Sequence, residues 1–307
     1  MAAFSAKDVK DLREMTGCGM MDCKKALTEA DGDKDKAVEI LREKGLAKAA
    51  KKSGRVAAEG IVKDYIANGV GVLVEVNSET DFVAKNAEFQ EFVGTVAKAV
   101  AENDPADVEA LKAVTIDGTT IGDMLTEKIV KIGENMNIRR FARVATEGAV
   151  VAYIHAAGKI GVLVEADAPA DNADVNEALK NVAMQVAALN PKYLSSADVP
   201  QDYKDHEMEI LVAQAKNDPK NASKPDAIIE KMVTGRLNKE LAEVCLLQQT
   251  YVKAENKENV EKYLDAVSKK VGAPITLKSY VRFETGEGLE KKEDDFAAEV
   301  AAMAGNN

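Results

Sequence analysis

Five side chains hold nearly all the soft-ligand and ready-nucleophile chemistry of this chain: His155, His206, Cys18, Cys23 and Cys245. A zinc site needs several such ligands at matched spacing. Cys18 and Cys23 have no second pair behind them, and the two histidines stand far apart in sequence. The cysteines therefore read as small, buried or half-buried residues. Three of them cannot form a paired disulfide framework, which points to a reducing compartment. No G-x-x-x-x-G-K-[ST] phosphate loop is present, and Gly17-Cys18-Gly19 lacks the third glycine of a dinucleotide fingerprint and lies between helices. No nucleophile elbow occurs. His155 falls at a hairpin turn, where a surface contact is a simpler role than general base. The sequence thus offers no catalytic residue, no metal site and no cofactor site, and the chain is not expected to be an enzyme.

One short stretch is chemically unusual. Thr80-Asp81-Phe82-Val83-Ala84-Lys85 sets an aromatic beside a carboxylate just after a predicted strand. Phe82 could cap the core of its own subdomain, since most phenylalanines are buried. Alternatively it is a wedge that enters a partner's pocket while Asp81 carries a charge or hydrogen bond that disturbs that pocket.

The elements that must position this stretch follow from periodicity. Ser5 with Asp8 makes a variant capping box. Val9, Leu12 and Met15 follow at helical spacing, and Gly17 stops the turn. A second helix fits Met20 to Ala30 with Leu27 inward, and Asp31-Gly32-Asp33 turns into a third, striped by Ala37, Ile40 and Leu41 and ended by Gly45. The run from Lys44 to Arg55 is basic and alanine-rich, either a contact for an acidic surface or RNA or a solvated linker or helix extension. Residues 1–55 carry a net charge of +3 and the remainder −14, placing a boundary near Ser53-Gly54.

Beyond it the period changes. Ile61–Ala67 and Val70–Val76 flank Asn68-Gly69, a strong hairpin signal. A helix follows, with Phe89, Val93, Val96 and Val100 on one face. Further on, Tyr153 to Glu165 resembles Tyr65 to Glu75: both contain Gly-Val-Leu-Val-Glu after a turn, and both lead into a helix, Glu88–Ala101 and Val175–Leu189. This predicts an internal duplication of two α+β subdomains. The copies diverge after Glu75 and Glu165, and only the first carries Asp81-Phe82. Strands over Ile138–Val144 and Ile275–Glu284 complete the sheets. Between Pro191 and Gln249, stripes of Met208, Leu211, Val212, Ala215 and of Ile228, Met232, Leu237, Leu241, Val244 predict an antiparallel helical hairpin that protrudes and pairs with another chain. A short helix over Phe296–Met303 follows the acidic run Glu290–Asp295.

The expected fold class is α+β: an N-terminal three-helix bundle, two duplicated α+β core subdomains, an inserted antiparallel helical hairpin and a C-terminal helix. The expected units are 1–54, 55–148, 149–193 with 247–288, 194–246 and 289–307. With 307 residues, 5% aromatics and no tryptophan, such helices and small sheets suit the composition better than a large β-sandwich. A net charge of −11 makes direct nucleic-acid binding a poor expectation. The apolar run Gly148–Val164 is broken by His155 and Lys159, and the first residues carry no long apolar stretch before their charges, so no membrane association and a cytoplasmic location are expected.

Five blocks carry a resemblance across the whole chain. Thr16-Gly17-Cys18-Gly19-Met20-Met21-Asp22-Cys23-Lys24-Lys25-Ala26-Leu27 is similar to the N-terminal signature of bacterial elongation factor Ts, and Thr80–Lys85 to its central motif. Ile132-Gly133-Glu134-Asn135-Met136-Asn137-Ile138-Arg139-Arg140 and Val281–Lys291 resemble two more blocks of that family, and Asp295–Val300 another. The resemblance implies a ubiquitin-associated-like (UBA-like) N-terminal domain and guanine-nucleotide exchange on elongation factor Tu, in its GDP-bound form and as a nucleotide-free complex. It implies partner contacts at Arg13, Met20, Met21 and Lys24, a wedge pair at Asp81 and Phe82, further core contacts at Ile132, Gly133 and His155, and one at Val252. It also implies a homodimer through the helical insert. Against this stand an RNA- or ribosome-binding module using Lys51 and Lys52, a scaffold that binds without affecting nucleotide, and an enzyme whose catalytic residues form no recognisable motif.

Overall fold

The computed structural model describes residues 4–16, 18–221 and 224–290. Gly17 and the helix expected over 296–303 lie outside them. Three helices open the chain: α1 (Ala6–Thr16), α2 (Met20–Glu29) and α3 (Lys34–Lys52). Ser5 caps α1 as expected, its N–H donating to Asp8 Oδ2 at 2.8 Å while Asp8 N–H donates to Ser5 Oγ at 3.3 Å. Asp33 caps α3 by accepting from the N–H groups of Asp35 and Lys36. Val9, Leu12, Cys23, Ala26, Leu27, Ala37 and Leu41 form the small core. Two expectations are corrected here. Met15 is 66% exposed rather than part of that stripe, because the i, i+3, i+7 row from Val9 through Leu12 closes on the half-buried Thr16 and turns Met15 outward. Gly45 does not end α3, which runs seven residues further; the glycine is buried where α3 crosses a later helix, with Val130 Cγ2 3.5 Å from where a Cβ would stand. The basic run is thus a helix extension as far as Lys52.

Two three-stranded antiparallel sheets follow, ordered β1-β2-β5 and β6-β7-β8. The first hairpin joins β1 (Glu59–Ala67) to β2 (Val70–Ser78). Asn68 and Gly69 both have positive φ, 51° and 73°, the geometry that matches the twist of paired strands. A one-turn helix, α4 (Asp81–Ala84), leads into α5 (Ala87–Asn103), which packs on this sheet through Phe89, Phe92, Val93, Val96 and Val100. Residues 104–135 hold elements no sequence pattern had marked: α6 (Val108–Ala113), the tiny pair β3 (Thr115–Ile116) and β4 (Thr119–Thr120), and α7 (Ile121–Ile132). Strand β5 (Met136–Ala145) completes the sheet.

The second sheet repeats the plan with β6 (Ala149–His155), β7 (Ile160–Asp167) and helix α8 (Ala173–Leu189). The register shift between β2 and β5 lies at Glu75/Val76, and that between β7 and β8 lies at Glu165/Ala166, the same place in the two Gly-Val-Leu-Val-Glu runs. The sheets meet through Val62, Leu73, Leu163 and Phe283. Glycines set their separation reciprocally. A Cβ on Gly71 would stand 2.9 Å from Leu163 Cδ1, and one on Gly161 would stand 3.2 Å from Leu73 Cδ2.

The helices α9 (Gln201–Asn217) and α10 (Asp226–Val244) pack against each other. The buried face of α10 is Ile229, Val233, Leu237 and Leu241. This corrects the predicted stripe by one position at its start: Ile228 is 46% exposed, because Ile229 and Val233 complete the i, i+4 row that ends on Leu237 and Leu241. The hairpin leaves and rejoins the body at a clipped neck, where Lys192 N–H donates to Val244 O at 2.8 Å and Leu246 N–H to Tyr193 O at 2.9 Å. Helix α11 (Val260–Val271), also unmarked in the sequence, and β8 (Thr276–Glu284) close the second half.

A buried carboxylate ties the last turn to the first sheet. Glu75 accepts from Arg139 at 3.0 Å, from Arg140 Nε at 2.6 Å, from Asn77 at 3.1 Å and from the Gly286 N–H at 2.8 Å. Burial alone would raise its pKa; the Gly286 N–H, Arg140, Asn77 and Arg139 outweigh that and hold it below the ordinary value. Arg140 also lies over the Phe283 ring, 4.3 Å from its centroid.

Candidate functional site

The tip after β2 is built by capping. Thr80 takes the N-cap position of α4, and its hydroxyl accepts from Val83 N–H at 3.4 Å. Asn86 then caps α5 through Glu88 and Phe89 N–H. Two caps six residues apart leave only one helical turn between them. Its inward side is Val83 and Ala84, each 6% exposed and packed into the first core; its outward side is Asp81 and Phe82. Phe82 is 80% exposed. The core-cap alternative for this residue therefore fails. Lys85 donates to Asp81 Oδ2 at 2.6 Å and stands 6.0 Å from the Phe82 centroid. That hydrogen bond, with a smaller pull from Lys159, holds the Asp81 carboxyl below its usual range.

Ile132 and Gly133 end α7, with Gly133 at φ 90° as the left-handed cap and Lys52 of α3 donating to Ile129 O at 3.5 Å. The next two residues reach the tip. Glu134 accepts the Thr80 N–H at 3.0 Å and the Thr80 hydroxyl at 2.7 Å. In return Glu79 accepts the Asn135 N–H, and Asn135 Nδ2 donates to Arg55 O at 2.8 Å. Asp81-Phe82 and Ile132-Gly133 thus belong to one fastened unit.

His155 ends β6, exposed, with the Tyr153 hydroxyl 2.9 Å from its Nδ1. The following turn, Ala156–Gly158, is pressed onto β1: a Cβ on Gly158 would stand 2.8 Å from Ile61 Cβ. Lys159 pairs with Glu59, which lies opposite Ser78 in the β1–β2 register. The His155 turn therefore lies at the end of the first sheet that carries the Asp81 tip.

The other expected contacts form separate surfaces. Arg13, Met20, Met21 and Lys24 are all exposed. The adjacent Met20 at 44% and Met21 at 63% form an exposed apolar patch on the small helical unit, and Met15 of α1 is exposed as well. Among the described residues no hydrogen bond or ion pair joins this patch to Asp81 or Phe82. Val252, 52% exposed, lies between α10 and α11, where its N–H donates to Gln185 Oε1 at 2.9 Å. Sequence reasoning missed Met15, whose helical spacing imitated a core position, and the pinning role of Glu134, whose partner Thr80 is 54 residues away. Lys85 was findable, since it stands four residues after Asp81 on a helical turn.

Among the described residues no group of three or more His, Cys, Asp or Glu is placed to hold a metal ion, and no helix is long and apolar enough to cross a membrane. The family model for elongation factor TS matches residues 79–287. Elongation factor Ts of Clostridium perfringens (strain 13) is 55% identical over 306 residues, covering 98% of this chain and 99% of that relative. The Clostridioides difficile (strain 630) protein of the same name is 54% identical over 98% of this chain and 99% of its own length. That from Syntrophotalea carbinolica is 51% identical, again over 98% and 99%. The matched residues include the Asp81 tip, the α7 exit, His155 and Val252, and on this evidence the chain belongs to the elongation factor Ts family, whose members work in translation as exchange factors and not as enzymes.

Proposed function

We propose that this chain releases GDP from elongation factor Tu by pressing the Asp81-Phe82 tip into the partner near its magnesium and phosphates. Family membership implies the exchange activity; the observation that supports this route is the 80% exposure of Phe82 on a tip whose entry is pinned by the Thr80–Glu134 and Asn135–Glu79 hydrogen bonds. Fully burying a phenylalanine contributes about 1.5–3 kcal/mol, roughly one to two decades of coupling. Asp81 supplies a negative charge beside it. Bound magnesium is a large local charge, and a disturbed ligand shell loosens the nucleotide. Linkage makes the effect reciprocal: if the chain weakens GDP binding, GDP weakens the chain's binding by the same factor. No covalent step is needed.

Within this reading Arg13, Met20, Met21 and Lys24, on a UBA-like domain, grip the nucleotide domain, while Ile132, Gly133, His155 and Val252 add core contacts. The two similar halves are duplicated subdomains, and the clipped α9–α10 hairpin is a dimerisation insert. The site of action is the cytoplasm, where the partner works.

Release of fluorescent GDP from purified elongation factor Tu tests the proposal, with the native chain, Phe82→Ala and Asp81→Ala. Acceleration by the native chain and loss of about tenfold or more in Phe82→Ala support it. Acceleration that both variants preserve moves the mechanism to the N-terminal and His155 contacts. No acceleration favours the scaffold reading.

A further inference from the structure

The tip that carries Phe82 is one turn long, and a helix of four residues has almost no stability of its own. Something else must hold it against a partner. Val83 and Ala84 anchor its inner side, but its entry depends on two residues, Glu79 and Thr80, that sit outside the sheet. Both are fixed from the same loop. Glu134 takes both polar hydrogens of Thr80, backbone and hydroxyl, and the neighbouring Asn135 N–H is taken by Glu79. Each strand of the contact donates a backbone N–H to a carboxylate of the other, a crossed clasp across 54 residues of sequence. It continues through Asn135 Nδ2 to the carbonyl of Arg55, at the exit of α3, while Arg55 itself pairs with Glu79 at 3.4 Å.

We propose that Glu134 is a positioning residue for exchange: it fixes the entry to α4 so that Asp81 and Phe82 meet the partner already oriented. This rests on the wedge reading of Phe82. Glu134 hydrogen-bonds Thr80 and, among the described residues, neither Asp81 nor Phe82, so it acts through Thr80. Because the clasp fastens Thr80 from backbone and side chain at once, its removal frees the tip entry without removing any apolar core. Preorganisation of this kind acts on the productive geometry more than on encounter.

The variants follow from hydrogen-bond capacity. Glu134→Ala removes both acceptors. Glu134→Gln can keep both links, with its carbonyl accepting the Thr80 N–H and its amide donating to the Thr80 hydroxyl oxygen, which has two lone pairs. The experiment measures fluorescent-GDP release from elongation factor Tu across concentrations of the full chain, separating maximal rate from half-saturating concentration. Native, Glu134→Ala, Glu134→Gln, Phe82→Ala and Glu134→Ala/Phe82→Ala chains are compared. A roughly five- to tenfold fall in maximal rate for Glu134→Ala is expected, with Glu134→Gln near native and faster hydrogen exchange at Val83–Lys85 in the Ala variant alone. In the Phe82→Ala background, Glu134→Ala should then cost little more, because a positioning residue has nothing left to position. Equal, additive losses in both backgrounds overturn the proposal, as does a native maximal rate in Glu134→Ala. Failure of the wedge reading is seen separately, as a Phe82→Ala chain with native exchange.

Discussion

At the scale of single residues, Glu75 and Phe82 are opposites. Glu75 is a charge with no exposure, matched by two guanidinium groups and a backbone N–H. Removing one member of a buried, hydrogen-bonded set leaves the others uncompensated, so Glu75→Ala should destabilise the chain by about 3 kcal/mol, read from denaturant unfolding. Its folded pKa is depressed, so its contribution is fully present above the unfolded-state value, about 4.3, and is lost as pH falls through the lower folded value. Glu75→Gln should therefore flatten the acid limb of a melting-temperature profile, with little change in its slope above pH 6. Phe82, by contrast, touches solvent over most of its surface. Phe82→Ala should shift stability by less than about 0.5 kcal/mol while depressing exchange, a dissociation of the two readouts that a core phenylalanine could not produce. The sequence showed the Asp81-Phe82 pair as chemically odd but left its direction open. A one-turn helix between two caps has no periodicity to read, and only the burial of Val83 and Ala84 decides which side faces out.

At the scale of elements, hairpins and amphipathic helices were legible because their signals are local. Asn68-Gly69, the two Gly-Val-Leu-Val-Glu runs and the stripe of α5 each lie within a few residues of sequence. What escaped was set by neighbours distant in the chain. Gly45 looked like a stop because glycine usually is one; here it is the place where α3 crosses α7, and the space is generous enough for one methyl group. Gly45→Ala should accordingly raise stability by about 0.5 kcal/mol through helix propensity, whereas Gly45→Pro should break α3 and lower the melting temperature sharply. The sheet glycines behave differently. A Cβ on Gly71 would stand 2.5 Å from Val150 Cγ2, and one on Gly161 would stand 2.4 Å from Val62 Cγ1. Each alanine should cost about 1–3 kcal/mol in chemical denaturation, and trimming the facing leucine, Leu163→Ala for Gly71→Ala, should recover part of the contact strain while adding its own cavity cost.

At the scale of the molecule, the α9–α10 hairpin buries one row of α10 and leaves Ile210 (37%) and Ile228 (46%) outward. If it joins two copies, sedimentation of the native chain should show a dimer, and Ile210→Glu/Ile228→Glu should convert it to monomer while each protomer keeps its exchange activity. A native monomer would remove the dimer from the proposed assembly and leave the tip unaffected. The Glu75 contact has a consequence of another kind, for the order in which the protein is made. Gly286, which completes the ligation of that carboxylate, is 211 residues further along the chain. At a synthesis rate of about 5–20 residues per second, Glu75 waits roughly 10–40 s for its last neighbour to appear, of which about 7–30 s follow the synthesis of Arg139 and Arg140. Through that interval the first sheet has its strands but an unfinished charged interior. Released chains truncated before Gly286 should therefore be cut by protease within the first sheet, and released chains that extend past it should not.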